Sequence, residues 1–479
     1  MKHRIFSFAF IFLLLVTFAF PQNEDLQGEP VTIESMLAAY ISNDRQTQIL
    51  AAQYQQAVLS HESVQNSTGL DVELSTGTVS IRAGQFRAEP AVTLSMPTLN
   101  GTVVAASVPV SVYGTDGKAS VGGSSVSIET EILGGGAMQQ RLSLVKSQRN
   151  VLEFRRSLEE HLLSTEYDFY SNLKSIYTEY ASVLSAQNTL YEEKIDLDAI
   201  VVQGYGPKSS RYRTAQLEML NAQHIADERQ RRLERSVEKF AQKCNLDPKK
   251  LTANEIPDVS LQLESSGILE EPVTDSVHNY KAMEKAEWNM EITKLEQKAD
   301  SQVSLYAGAG YTHKNTTFAD NDTVNASLSL GLFGARLSAG VAVPVTGESR
   351  TPAAQFSLSW SPSDLKSDRI KKQQNALDVH LALLQIQEAQ ESYETDMEDS
   401  LTDRTDLLWT RQLNLEQAEL YRELVDDMAS WFAAGYVTDS ENRQAQVNLQ
   451  NALIQCRITD IELLLNSIKT KMLFVVEED

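Results

Sequence analysis

Two periods of apolar residues alternate along this chain. Over residues 137–200 the set Leu158, Leu162, Phe169, Leu173, Ile176, Tyr180 and Leu184 steps by three, four or seven, with no Gly or Pro. That spacing predicts one α-helix packed along a narrow seam, roughly 95 Å long at about 1.5 Å per residue. Residues 364–434 read the same way, with Leu401, Leu408 and Leu415 in register and Leu424, Met428 and Trp431 following; this helix would extend roughly 105 Å. Shorter helices are expected over 32–64, 209–243, 276–298 and 440–472. Elsewhere the period drops to two. Val72-Leu74, Val79-Ile81, Val92-Leu94-Met96, Val108-Val110-Val112 and Val126-Ile128 alternate with polar residues, as do 303–311, 324–332, 337–345 and 356–360, which predicts strands. One more candidate strand, 259–263, lies in a stretch broken by Pro248, Pro257 and Pro272.

The two halves repeat one plan: short helix, strands, very long helix, hinge, short helix. Gly204-Tyr205 in the first hinge pairs with Gly435-Tyr436 in the second. Ala215-Gln216-Leu217 pairs with Ala445-Gln446-Val447 in the helices that follow, so the chain is an internal duplication. Gly435 has the position of a residue that ends a helix in the left-handed conformation, and Thr438 or Ser440 offers an oxygen to cap the next. Each long helix is about twice the length of a short one, so two short helices end to end could lie beside each. The sections are 1–22 (leader), 23–68 (short helix), 69–136 (strands), 137–244 (long helix, hinge, short helix) and 245–275 (connector). The second copy follows as 276–301 (short helix), 302–363 (strands) and 364–479 (long helix, hinge, short helix). The fold class is mainly α with β.

Composition narrows the function. Lys2, His3 and Arg4 precede an apolar run over 5–20, the layout of a secretory leader. The formal net charge is −23, which argues against nucleic-acid partners. Cys244 and Cys456 are the only cysteines; both sit in helical patterns and read as packed free thiols rather than a disulfide. The histidines have no metal-ligand spacing, and no catalytic set is present, so neither an enzyme nor a cofactor is expected. Acidic pairs such as Asp426-Asp427 read as a solvated helix face.

The duplicated layout, the glycine hinges and the recurrent Ala215, Gln216, Ala222 and Ala445, Gln446, Ala452 pattern resemble the TolC-like outer-membrane efflux protein family over essentially the whole mature chain. The resemblance implies a homotrimer with a shared transmembrane β-barrel, continued by a helical tunnel across the periplasm. It also implies a tip, at Gly204, Tyr205, Gly206, Gly435, Tyr436 and Val437, that docks a periplasmic adaptor (membrane fusion) protein, the link to an inner-membrane pump. By the same resemblance Glu441 and Gln444 fall at the narrowest constriction, with Asp439 beside them; Glu441 equally suits a helix N-terminus, where an acid is stabilised by the macrodipole. The tip glycines equally suit simple helix stops. The alternating segments have membrane-strand length, and such strands must close into a barrel against outer-membrane lipid, most simply across several subunits. The family has two strands per half, whereas at least four segments are present here. The favoured expectation is that the middle pair, 97–113 and 333–345, forms hairpins outside the membrane, because Pro97 and Pro109 are awkward in central strands; a wider barrel is the other option. A secreted coiled-coil structural or adhesive protein is the alternative function.

Overall fold

The computed structural model describes residues 32–475 apart from 76–79, 83–84, 97–101, 109, 114–117, 122, 248–255, 301–302, 316–319, 333–334 and 347–350. The leader reading at 1–22, and Pro97 and Pro109, lie outside the described residues. The chain opens with α1 (Ile33–Ser42) and α2 (Arg45–Thr68), where one continuous helix is expected from the sequence. Asp44 makes the break: its carboxylate accepts from Thr47 N–H at 2.7 Å and from Thr47 Oγ1 at 2.8 Å, an N-cap that starts α2 afresh. His161 Nε2 lies 2.7 Å from the same carboxylate. Burial raises this carboxyl's pKa, but the His161 and Thr47 hydrogen bonds outweigh it and leave Asp44 below the ordinary carboxylate range.

Eight strands follow: β1 (Asp71–Ser75), β2 (Ser80–Arg82), β3 (Gln85–Ala88), β4 (Ala91–Met96), β5 (Thr102–Ser107), β6 (Val110–Tyr113), β7 (Lys118–Val121) and β8 (Ser124–Leu133). Next come the long α3 (Gly136–Val202), α4 (Ser210–Lys243), a short α5 (Ser260–Ser265) and α6 (Lys281–Ala299). The second half continues with β9 (Val303–Asn315), β10 (Asp320–Leu332), β11 (Ala335–Pro344) and β12 (Ala353–Trp360), then the long α7 (Pro362–Ala433) and α8 (Asp439–Lys471). Thus α3 has 67 residues and α7 has 72, each about 100 Å or more at the helical rise.

Among the described residues all strand pairings are antiparallel. One sheet has eight strands in the order β1-β4-β5-β8-β9-β10-β11-β12, and a second has four in the order β2-β3-β6-β7. The second repeats the neighbour order of the first half, because the successive pairs β1 and β2, β3 and β4, β5 and β6, and β7 and β8 each place one strand in either sheet. Each half therefore supplies a four-run meander. The two middle segments are not free hairpins: β5 and β11 are interior strands of the large sheet, and β6, from the first of them, lies in the small one. The physical reason is parity, since Val104 and Ala106, like Leu337, Ala339 and Val341, keep the apolar alternation of their neighbours. The 259–263 strand is also corrected. Val259 and Leu263 are fully buried on one side of α5, four residues apart as a helix turn requires.

The core sits where the short helices meet end to end. Ile33, Met36 and Tyr40 from α1 pack with Phe169, Leu173 and Tyr177 of α3, Phe240 of α4 and Ile461 and Leu464 of α8. Asn43 Nδ2 donates to the carbonyl oxygens of Gln242 and Lys243, joining α1–α2 to the end of α4. Lys281 N–H donates to Leu473 O at 2.9 Å, joining α6 to the end of α8. Around this level α2 and α4 pack on α3, α6 and α8 pack between α3 and α7, and α7 is outermost. Cys244 and Cys456 are buried free thiols. Burial pushes the Cys244 thiol up to about 12.

Candidate functional site

The large sheet sorts its residues by face. Directly opposed residues in an antiparallel pair point the same way, so one face can be followed across all eight strands. It carries Val72 and Leu74; Val92 and Leu94; Val104; Val126 and Ile128; Ala307 and Ala309; Val324, Leu328 and Leu330; Leu337 and Val341; and Phe356, Leu358 and Trp360. The other face carries Glu73, Thr93, Ser127, Glu129, Gly308, Ser327, Ser329, Arg336, Ser338, Gln355 and Ser357. Among the described residues nothing covers the apolar face: Phe356 is 73% exposed and Leu358 74%. From Leu332 to Val324 it spans roughly 27 Å at the strand rise. Trp360 closes it beside α7. At the other end Tyr311 Oη donates to Asp322 Oδ1 at 2.7 Å, and His313 Nδ1 lies 2.6 Å from the same oxygen, so polar groups resume there.

At the junction of sheet and helix, Glu131 folds over the glycines that follow it. Its Oε2 accepts from Gly136 N–H at 3.0 Å, satisfying an orphan donor at the start of α3. A Cβ on Gly134 would stand 1.7 Å from Glu131 Oε1, and one on Gly136 2.2 Å from Oε2. The glycine run is thus the seat of this carboxylate.

The opposite end carries both hinges, and they are built alike. Gly204 N–H donates to Val201 O and Tyr205 N–H to Ile200 O; Gly435 N–H donates to Phe432 O and Tyr436 N–H to Trp431 O. Each is a Schellman turn with its glycine in the left-handed region, φ 85° at Gly204 and 78° at Gly435. Ser209 caps α4 and Thr438 caps α8. Tyr436 is 82% exposed and Val202 86%, while Arg211 stacks 5.0 Å over the Tyr205 ring. Gly206 and Val437 lie in the same two turns.

The three residues beside the second hinge each bond within the chain. Glu441 completes a capping box, accepting from Thr438 N–H at 2.7 Å; that bond holds its carboxyl below the usual range. Asp439 accepts from Tyr191 Oη, and Gln444 from Asn188 Nδ2. Arg443 stands 4.1 Å over the Tyr191 ring. Asn188, Tyr191 and Arg443, which brace the two hinge regions against each other, are missed by reasoning from the sequence. Their partners lie some 250 positions away and no local spacing marks them. No described helix is long and apolar enough to cross a membrane.

Comparison with known proteins places both halves. An uncharacterized protein from Treponema pallidum (strain Nichols) is 21% identical over 313 residues, 64% of this chain and 56% of that protein. The match therefore spans little more than half of that relative. Among solved structures, a membrane protein from Pseudomonas aeruginosa aligns with a TM-score of 0.48 at 10% identity, covering 95% of each chain. The Campylobacter jejuni CmeC outer membrane channel aligns with a TM-score of 0.45 at 11% identity, covering 96% of this chain and 92% of that one. Residues 36–265 match the TP096X N-terminal domain and residues 272–477 the TP096X C-terminal domain, so the chain belongs to the TP096X family.

Proposed function

We propose that the protein is the outer-membrane channel of a tripartite efflux or type I secretion system, a passive export duct that crosses the periplasm as a homotrimer. The observation that carries this reading is the uncovered apolar face of the large sheet. An isolated sheet with one wet and one greasy side has no stable place in water, but in lipid its apolar side is solvated. The nine residues of β10 from Val324 to Leu332 match the about 9–11 that a tilted membrane strand needs. Helices of about 100 Å then reach away from the membrane and end in two matched turns. Those turns, with exposed Tyr436 and Val202, dock the periplasmic adaptor, behind which an inner-membrane pump supplies the energy. Asp439 and Glu441, repeated in each copy, place carboxylates near the duct's closed end and favour cations there.

Purified protein reconstituted in a planar bilayer is expected to give discrete conductance steps, which a fibrous adhesin does not. The tip is tested by Gly204→Val with Gly435→Val. A Cβ at either site meets nothing within 4 Å, so the substitution acts through backbone strain alone, about 1–2 kcal/mol per hinge. Export should fall while conductance and assembly persist. Normal export in the double variant would remove the docking role.

A further inference from the structure

The polar face of the large sheet is built mostly from Ser, Thr, Gly and Ala, and its charges are unevenly placed. Among the described residues of its strands, exposed Asp71, Glu73 and Glu129 stand on β1 and β8, in the first half. The cations of this face belong to the second half. Lys314 lies at the outer end of β9, opposite Asn321, and Arg336 near the helix end of β11. Arg336 is exposed. It is opposed by Gly331 and Ser359, with Ser304 beyond Gly331, and none of these neutralises a guanidinium. Glu131, the carboxylate of the next row, already accepts from Gly136 N–H and from the Tyr306 hydroxyl. The row of Glu129 meets β11 at Gly340, which sets that carboxylate roughly 20 Å from Arg336 at the strand rise and spacing. That exceeds the screening length of about 10 Å in 0.1 M salt. Among the described residues no hydrogen bond or ion pair holds Arg336.

We propose that Arg336 is a contact for an anionic group on the cargo, placed where the sheet meets the helices. The inference rests on the export reading above and deepens it by naming a chemistry that the duct recognises. Three observations support it. First, a charged side chain at membrane depth that faces away from lipid marks a substrate or ion path. Arg336 lies on the polar face, and no partner cancels its charge. Second, the fold does not need this charge. β11 repeats β5 in the duplicated plan, and the second residue of β5 is Val103 where that of β11 is Arg336. Third, the surroundings leave it room. Gly331 has no side chain and Ser304 and Ser359 have short ones, so the guanidinium can follow a passing group. Its planar fork of donors matches a carboxylate or a phosphate in two bonds at once.

Repeated in every copy, Arg336 forms a girdle of positive charge at the sheet end of the duct. Asp439 and Glu441 stand at the opposite end, beside the second hinge. The two ends therefore favour opposite signs. Cargo that bears both an anionic and a cationic group meets an attractive contact at each, whereas purely cationic cargo is repelled at the sheet. A lone guanidinium open to water also binds weakly enough to release what it holds, as passage requires.

The test uses the full chain in planar bilayers, with citrate as a carboxylate probe and tripolyphosphate as a phosphate probe. Each is added from the sheet side, so that neither has to pass the tip. Both should reduce the conductance, and Arg336→Gln should raise the concentration for half block about ten-fold, the loss of one charge-assisted contact. Arg336→Lys keeps the charge but not the fork and should fall between the two. Lys314→Gln, at the outer end of β9, should leave the block unchanged. Arg336→Gln should also move the reversal potential in a KCl gradient toward cations, which a merely structural arginine would not do. The probe that blocks at the lower concentration identifies the anionic group preferred. Steps of normal size with block unaltered in Arg336→Gln overturn the inference and leave the export reading standing. Equal loss of block in Lys314→Gln overturns it too, because the effect would then be one of overall charge. Absence of conductance steps in the unaltered protein overturns the export reading and this inference with it.

Discussion

Arginine at Leu328 is expected to cost the membrane-inserted protein about 2–4 kcal/mol. Leu328 lies near the middle of β10, opposed on either side by Ala307 and Ala339, half-way along the apolar face. A guanidinium there has no water and no partner in lipid, and is too deep to reach the surface easily. The control is Gln355→Arg. Gln355 shares its row with Gly340 and Ser327, one step from Leu328, but on the polar face. There a charge meets water, and the change should stay within about 0.5 kcal/mol. Urea titration of folded protein in lipid vesicles reads the difference. Equal tolerance at both positions would mean that the two faces see the same solvent.

The second large effect is expected far from the sheet. Arg411 Nε lies 2.7 Å from Asp460 Oδ1, with the side chains 20% and 8% exposed. Burial pushes the Asp460 carboxyl up, and Arg411 pulls it partly back. Arg411→Ala leaves the carboxylate buried without its partner and should destabilise the α7–α8 packing by about 3–5 kcal/mol. Replacing both, Arg411→Met with Asp460→Leu, should recover most of that loss, because the expensive element is the lone charge. The sign with pH follows. A carboxyl whose folded pKa is raised destabilises the fold only when ionised, so the deficit of the single variant is present above the folded pKa and narrows as pH falls through it. Thermal unfolding followed by helix circular dichroism in detergent, across acid to neutral pH, checks both the size and the trend.

Local signals carried much of this structure, and long-range ones carried the rest. The hinges were legible because Gly204 and Gly435 end their helices by backbone geometry, with capping residues close behind. The long helices were legible because nothing interrupts their seams. The break at Asn43-Asp44 was missed because the apolar spacing runs through it without Gly or Pro; only the Asp44 side chain marks it. Residues 259–263 were ambiguous, since Val259, Leu261 and Leu263 satisfy both a period of two and a helix turn, and packing against α8 decides. The strands were visible as alternation, but membership of one sheet was not. Whether β5 and β11 lie inside the sheet or beyond it depends on pairing with strands that local pattern does not name. The bracing of the tip by Tyr191, Asn188 and Arg443 was invisible for the same reason.

The apolar face of the large sheet is expected to lie against lipid while its other face lines an aqueous duct. Nitroxide labels placed one at a time from Thr323 to Leu332, in protein reconstituted into bilayers, measure this directly through their accessibility to oxygen and to a water-soluble nickel complex. The expected result is a strict period of two. Labels at Val324, Ala326, Leu328, Leu330 and Leu332 should be reached by oxygen, and labels at Thr323, Asn325, Ser327, Ser329 and Gly331 by nickel. Accessibility to nickel along the whole strand, with no alternation, would mean that neither face of the sheet meets lipid.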